Sequence, residues 1–308
     1  MPAPHTLATG PKMTRALGQV WVLVWKDLAI DLRRKENLLA MFFFALLTLL
    51  IFGFALHAAD EPHFRVTPRV LAQVEADGAG PAARTALLPL QGRSFADQGE
   101  LLAALSPAQG AGGAALTLAE KLAVLRHARH GPLEESMAGL LWVTFVLAGV
   151  LGLSKSFGQE RDQGCMDGLL LTPVPRGVIY LGKMLSNTLF LALILALLLP
   201  LCALLFQVNL AGLLLPIGAV LLAGALGFSA LGTLLGGITS SLKGREVLLP
   251  LLLFPLLVPL LLVAVHLTDA LLAGESLADH TGWLQLLGAF DAIFLIVSYL
   301  TFEYVMES

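Results

Sequence analysis

Residues 38–56 read LLAMFFFALLTLLIFGFAL, 19 positions without a charge. At ~1.5 Å per residue of helix, such a run nearly spans the ~30 Å hydrocarbon core of a bilayer. A helix of this length that is apolar on every side belongs in a membrane, not at the surface of a soluble domain. Five further apolar runs follow at 137–155, 184–206, 211–238, 247–268 and 283–302. The bulk composition agrees, with 57% hydrophobic and 13% charged residues and a mean hydropathy of +0.81. The expected fold is therefore an all-α polytopic membrane protein with six transmembrane helices.

Two of these runs carry special residues. Residues 223–237, AGALGFSALGTLLGG, pair Ala223 with Gly227 and Gly232 with Gly236 at a spacing that lets neighbouring helices approach closely. Residues 247–265 include Pro250, Pro255 and Pro259, each of which removes a backbone donor and predicts a kinked helix supported by its neighbours.

Orientation follows from Lys and Arg. Lys12, Arg15, Lys26, Arg33, Arg34 and Lys35 precede the first span. Lys155, Arg161, Arg176 and Lys183 follow the second, and Lys243 and Arg245 follow the fourth. The short loops after spans three and five hold none, so the count is 12 against 0. The other seven lie in the long 59–136 segment, which the rule discounts. Both termini are expected in the cytoplasm and 59–136 outside.

The chain then divides into a cytoplasmic or interfacial piece (1–36), span one (37–58), an outer segment (59–136) and spans two to six (137–308) with a cytoplasmic loop at 156–183. Within the first piece, Leu17, Trp21, Val24, Trp25, Leu28 and Leu32 share an apolar face with basic residues beside it. That pattern suits a helix lying among lipid headgroups; a soluble helix packed on a partner has the same pattern. The outer segment is too charged for lipid. It reads either as a small α/β module, with a strand at Val70–Val74 and helices from Ser94 to Leu105 and Ala119 to Arg129, or as a loosely ordered loop. No apolar stretch before residue 38 suits a signal peptide, and Met13, followed by Thr14 and Arg15, is an alternative start.

The cytoplasmic stretch ERDQGCMDGLLLTPVPRG, 160–177, interrupts the apolar runs with charge. Met166, Leu169 and Leu170 fall at i, i+3 and i+4 and share a helical face, with Asp167 pointing elsewhere. Gly164 and Gly168 loosen the entry, and Pro173 and Pro175 stop the helix. A short apolar-faced helix between two spans can receive force from a soluble motor; an ordinary solvated loop fits the same residues.

Catalytic chemistry is hard to find. GVIYLGKM, 177–184, begins like a phosphate-binding loop, but Met184 stands where Ser or Thr would hold magnesium and bulky residues fill the cradle. No ATPase is expected in this chain, and no HExxH, CxxCH or nucleophile elbow occurs. The two cysteines, Cys165 and Cys202, are expected to be free thiols. A net charge of −3 gives no reason to expect nucleic acid. Among seven histidines, His57 and His266 lie at outer span ends, where water-facing side chains are expected. Asp291, about ~12 Å into the last span, is costly to bury and marks either a polar staple or a translocation path. Asn187, with Ser186 and Thr188, forms a second polar position in span three.

Residues 137–184 resemble the CcmB family, the membrane subunits of the haem-exporter-type ABC transporter of cytochrome c maturation. The matching features are Leu140-Leu141-Trp142-Val143, Glu160 with Gly164, Gly168-Leu169-Leu170-Leu171 before Pro173, and Gly182-Lys183-Met184. The basic amino-terminal helix and the ending Phe302-Glu303-Tyr304-Val305 fit as well. The resemblance covers 14–58 and 137–308 and fails at 59–136, which is longer than the family pattern. It implies an ABC-2-type permease in the bacterial cytoplasmic (inner) membrane, with no cofactor of its own and haem as a substrate. It also implies a separate CcmA-like ATPase that uses the ATP, a CcmC-like haem-handling membrane subunit, and an open question of homodimerisation. Under it, Glu160, Gly164, Met166, Asp167, Leu169 and Leu170 couple to the ATPase, and Asp291 and Asn187 are candidates for a path. Other readings are a permease for a drug, lipid or polysaccharide, a membrane-embedded enzyme, or a structural assembly factor.

Overall fold

A computed structural model describes residues 10–305 except 34, 59–62, 79–80, 106–115, 131, 163–173, 207, 209, 211, 241 and 243. The described chain is almost entirely helical, and six helices are long and apolar enough to cross a bilayer. It is an all-α multi-pass membrane protein. The candidate spans are Leu38–Ala55, Ser136–Ser154, Arg176–Leu205, Leu214–Ser240, Val247–Leu272 and Leu277–Phe302.

In chain order, α1 (Gly10–Arg33) leads into α2 (Lys35–Ala58). The segment expected to lie outside follows, with β1 (His63–Arg65), α3 (Pro68–Ala76), α4 (Pro81–Leu87), β2 (Ser94–Phe95), α5 (Gln98–Leu105), α6 (Leu118–Ala128) and β3 (Arg129–His130). The remaining helices are α7 (Pro132–Asp162), α8 (Arg176–Leu205), α9 (Leu214–Ser240), α10 (Arg245–Leu272) and α11 (Thr281–Val305).

Helix α9 is the hub. It packs against α7, α8, α10 and α11, while α2 lies on α7 and α1 on α8. The reason is its glycines. A Cβ at Gly224 would fall on Cη2 of Trp142, and one at Gly232 on Cδ1 of Leu153, so α7 presses side chains into holes on α9. In return Phe228 fills the space at Gly149, where a Cβ would meet its ring at 2.8 Å. Without a hydrophobic driving force in lipid, close packing of this kind is what holds helices together. Trp142 is fully buried, edge-on to Phe145 at 5.4 Å, and its Nε1 donates to Thr268 Oγ1 at 3.0 Å.

The outer segment has its own apolar core around Phe64, Val66, Val70, Val74, Leu87 and Leu101. Its antiparallel sheet has the order β2-β1-β3, with Phe64 opposite both Phe95 and Arg129. Residues Val70–Val74, expected as a strand, are helical. Thr67 caps α3, accepting from Val70 N at 3.4 Å, Pro68 starts it, and Val70 and Val74 meet the core one turn apart. Ser94 likewise sits in a strand, and α5 is capped by Asp97, which accepts from Glu100 N at 2.7 Å while Glu100 accepts from Ala96 N. Thr117 and Glu120 form the same reciprocal cap before α6. Arg65 reaches Asp269 of α10 at 4.0 Å, a partly exposed pair worth little in stability.

Two boundaries differ from expectation. Helix α7 runs on to Asp162, and α8 starts at Arg176, eight residues before the expected start at 184. Lys183 made the sequence look like loop there, but it lies within α8, 6% exposed, with its stem against the bundle. GVIYLGKM is therefore two helical turns. Gly177 is covered by Tyr299 and Gly182 by Leu23, leaving no turn to cradle a phosphate.

Candidate functional site

The stretch expected to meet a motor joins α7 to α8. Glu160 is in the last turns of α7; Gly164, Met166, Asp167, Leu169 and Leu170 lie outside the described residues. What is described is how the exit of this stretch is held. Pro175 caps α8, its carbonyl accepting from Val178 N at 2.9 Å. Two residues on, Gly177 takes the ring of Tyr299 from α11. Tyr180 is fully buried, stacks on Phe302 at 5.2 Å and donates its hydroxyl to Ala230 O of α9 at 3.1 Å. The first turns of α8 are thus tied to α9 and to the end of α11.

Further polar contacts bind α8 to α9. Asn187 Nδ2 donates to Thr233 Oγ1 at 3.0 Å, and Ser229 Oγ donates to Met184 O at 2.8 Å. With the Tyr180 bond, three interhelical hydrogen bonds fall within two turns, each of order 0.6–2 kcal/mol in lipid. The α8–α9 pair is a stiff unit. Ser229, Thr233 and Tyr180 were not singled out from the sequence; Ser229 and Thr233, four apart in a glycine-rich span, were the available signal.

Asp291 and Asn187 are not brought together. Asp291 is 8% exposed on α11, its Oδ1 packed on Gly227 and without a hydrogen-bond partner among the described residues. Asn187 is on the α8 side of α9 and lines a cavity of about 20 Å³ with Asp31, Met41, Gly152, Leu153, Phe190 and Leu191. That volume admits nothing larger than a water. Asn187 thus bridges α8 and α9 through its amide, and Asp291 lies against Gly227 of α9 from α11.

His266, expected to face water, is half-buried. Its ring stacks on Trp283 at 4.3 Å and meets His280 edge-on at 5.3 Å, and its Nε2 is buried without a partner among the described residues. His280 in turn contacts Glu275 at 2.7 Å. The side chain of His57 lies outside the described residues. No cluster of three or more metal-ligating side chains occurs among the described residues. Cys202 is free and buried in the bundle, and Cys165 lies outside the described residues.

Comparison with known proteins bears on the same helices. The family described as CcmB protein matches residues 123–307, more than half of the chain and all of α7 to α11. Heme exporter protein B of Pseudomonas aeruginosa is 35% identical over 152 residues, 49% of this chain and 67% of the relative. Heme exporter protein B of Rhodobacter capsulatus is 32% identical over 173 residues, 55% of this chain and 78% of the relative. That of Haemophilus influenzae is 33% identical over 153 residues, 49% and 66% respectively. On this match and on the six-helix architecture that carries it, the chain belongs to the CcmB family.

Proposed function

We propose that the chain is the membrane subunit of an ATP-driven transporter complex that exports haem, or releases a haem-loaded carrier, in c-type cytochrome biogenesis. The observation that carries this reading is the family match across α7 to α11, with relatives named heme exporter protein B. ATP is hydrolysed by a separate CcmA-like subunit. That subunit docks on residues 160–171, with Met166, Leu169 and Leu170 inserted in a groove and Glu160 or Asp167 at its rim. Gly164 gives the turn its freedom. A CcmC-like membrane subunit handles haem beside it. The complex sits in the bacterial cytoplasmic membrane, and Asp291, buried with Oδ1 unpartnered among the described residues, marks the candidate path.

The test is a chromosomal deletion complemented by the gene, read by haem staining of c-type cytochromes. Maturation is expected to fail in the deletion and return with the intact chain; normal maturation in the deletion removes the reading. A permease for another substrate is favoured by one observation, the outer segment with its own core, most of which lies outside the family match. Intact cytochromes together with accumulation of a drug, lipid or polysaccharide precursor in the deletion select that alternative.

Topology gives a second expected result. Both termini are cytoplasmic and 59–136 is outside, so an alkaline phosphatase fusion at Gly110 is active and a fluorescent-protein fusion there is dark. The reverse pattern inverts the chain and moves the docking stretch to the wrong side. A third result concerns nucleotide. The purified subunit alone binds no ATP, since the residues resembling a phosphate loop are helix with both glycines covered. Stoichiometric binding by equilibrium dialysis would contradict that.

A further inference from the structure

The first turn of α8 is held from α11. The leading N–H groups of a helix have no partner within it. Here Pro175 O accepts from Val178 N at 2.9 Å and from Ile179 N at 3.3 Å, which ties the turn only to the residue before it. Side chains of α11 supply the rest. A Cβ at Gly177 would stand within 2.8 Å of Cε2, Cζ and Oη of Tyr299, so the outer end of that ring rests directly on the glycine. Three residues on, Tyr180 meets Phe302. Together with Met184, Ala230 and Leu234 these two form a buried cluster separate from the main core of the bundle.

Tyr299 sits at a border on its own helix. Ser298 and Phe302, one turn apart, are fully buried, whereas Ile296, Val297 and Leu300 face outward. Between those faces Tyr299 is 40% exposed and turns its ring to Gly177. The residue opposite matters as much. Any side chain at 177 would lift the ring, and only glycine lets it come down to the backbone. A tyrosine at a membrane boundary commonly serves as an interfacial anchor, but an anchor needs no glycine beneath it.

We propose that Tyr299 is a positioning residue for the coupling of ATP use to export: its ring, seated on Gly177, fixes the direction in which α8 leaves the docking stretch. A turn fixed in this way passes a movement of the stretch to α8, α9 and the end of α11 together, whereas a turn free to unwind absorbs it locally. The proposal rests on the docking role proposed above.

Three variants of the full chain test it, each expressed with the partner ATPase: Tyr299→Ala, Tyr299→Phe and Gly177→Ala. Alanine suits a helix better than glycine, and the group it displaces is the free end of a partly exposed side chain, so native abundance is expected. In the purified complex, amide exchange of residues 177–180 should rise about tenfold in Tyr299→Ala and Gly177→Ala. It should stay native in Tyr299→Phe, which keeps Cε2 and Cζ. The ATPase should still co-purify and hydrolyse ATP, while haem-stained c-type cytochromes in cells fall about tenfold in the same two variants. A merely structural role would lower abundance and ATP hydrolysis together. The double variant Gly177→Ala with Tyr299→Ala should be no worse than either single, since both remove one contact. Unchanged exchange in Tyr299→Ala overturns the proposal, and so does raised exchange with native cytochrome levels. Loss of maturation in Tyr299→Phe as well overturns it in favour of an anchor acting through the hydroxyl. Absence of any ATPase from the native preparation overturns the docking reading, and the coupling role with it, before a variant is compared.

Discussion

Gly224→Ala is expected to destabilise the bundle by about 1–3 kcal/mol, the usual cost of one extra carbon in a filled core. Gly224→Leu should give no folded protein. The new Cβ falls on the Trp142 ring, which has nowhere to go. It is held edge-on by Phe145 and tied to α10 through Thr268. Gly218 of the same helix has nothing within 4 Å of a built Cβ, so Gly218→Ala should be neutral or stabilising by up to ~1 kcal/mol through helix propensity. Unfolding of the micelle-bound protein in a mixed-detergent titration measures both. A double-mutant cycle with Trp142→Phe, which shortens the ring, should recover part of the Gly224→Ala loss. Equal behaviour of the two glycine variants would remove the ring-in-hole account of α7–α9 packing.

Leu169→Asp should have the larger biological effect. If Leu169 inserts in an apolar groove of the ATPase, the substitution buries a charge without a partner and costs about 3–5 kcal/mol of docking. That is roughly a hundredfold or more in affinity. The site is outside the lipid, so insertion and abundance should be normal. Complex assembly and cytochrome c maturation should fail together. Val174→Asp, between the two prolines and off the proposed face, should cost less. Normal yield of ATPase on co-purification of the Leu169→Asp variant, with maturation intact, leaves 160–171 an ordinary loop.

The six spans were legible because length and uniform apolarity report the solvent directly, with no need to know what packs on what. Their edges were less so. Lys183 reads as the end of a membrane run, yet it is buried inside a helix that starts at Arg176. In the outer segment, Val70 and Val74 suggested a strand by residue type, but Thr67-Pro68 ahead of them is a helix start and their spacing is one helical turn. The 160–171 stretch stands out by composition, a charged interruption between apolar runs. The partners of α8 and α9 do not, because nothing in one sequence says which faces of two apolar helices meet. For His266, position at a span end predicted water, whereas Trp283, seventeen residues later, folds back over the ring.

Helix α10 is continuous from Arg245 to Leu272 through Pro250, Pro255 and Pro259. Pro255 and Pro259 are exposed, while Leu253, Leu257 and Leu260 face the bundle. Each proline leaves the carbonyl four residues earlier, at Glu246, Leu251 and Pro255, without its usual donor. The hydrogen-bond ladder is therefore thinned mainly along the outward side, and the inward side keeps the packing that holds the helix in place. A rod weakened along one edge bends about that edge at low cost. When the surrounding bilayer is thinner or thicker than the helix is long, α10 can take up the mismatch by curving, and the glycine-packed contacts of α9 need not shift to follow it.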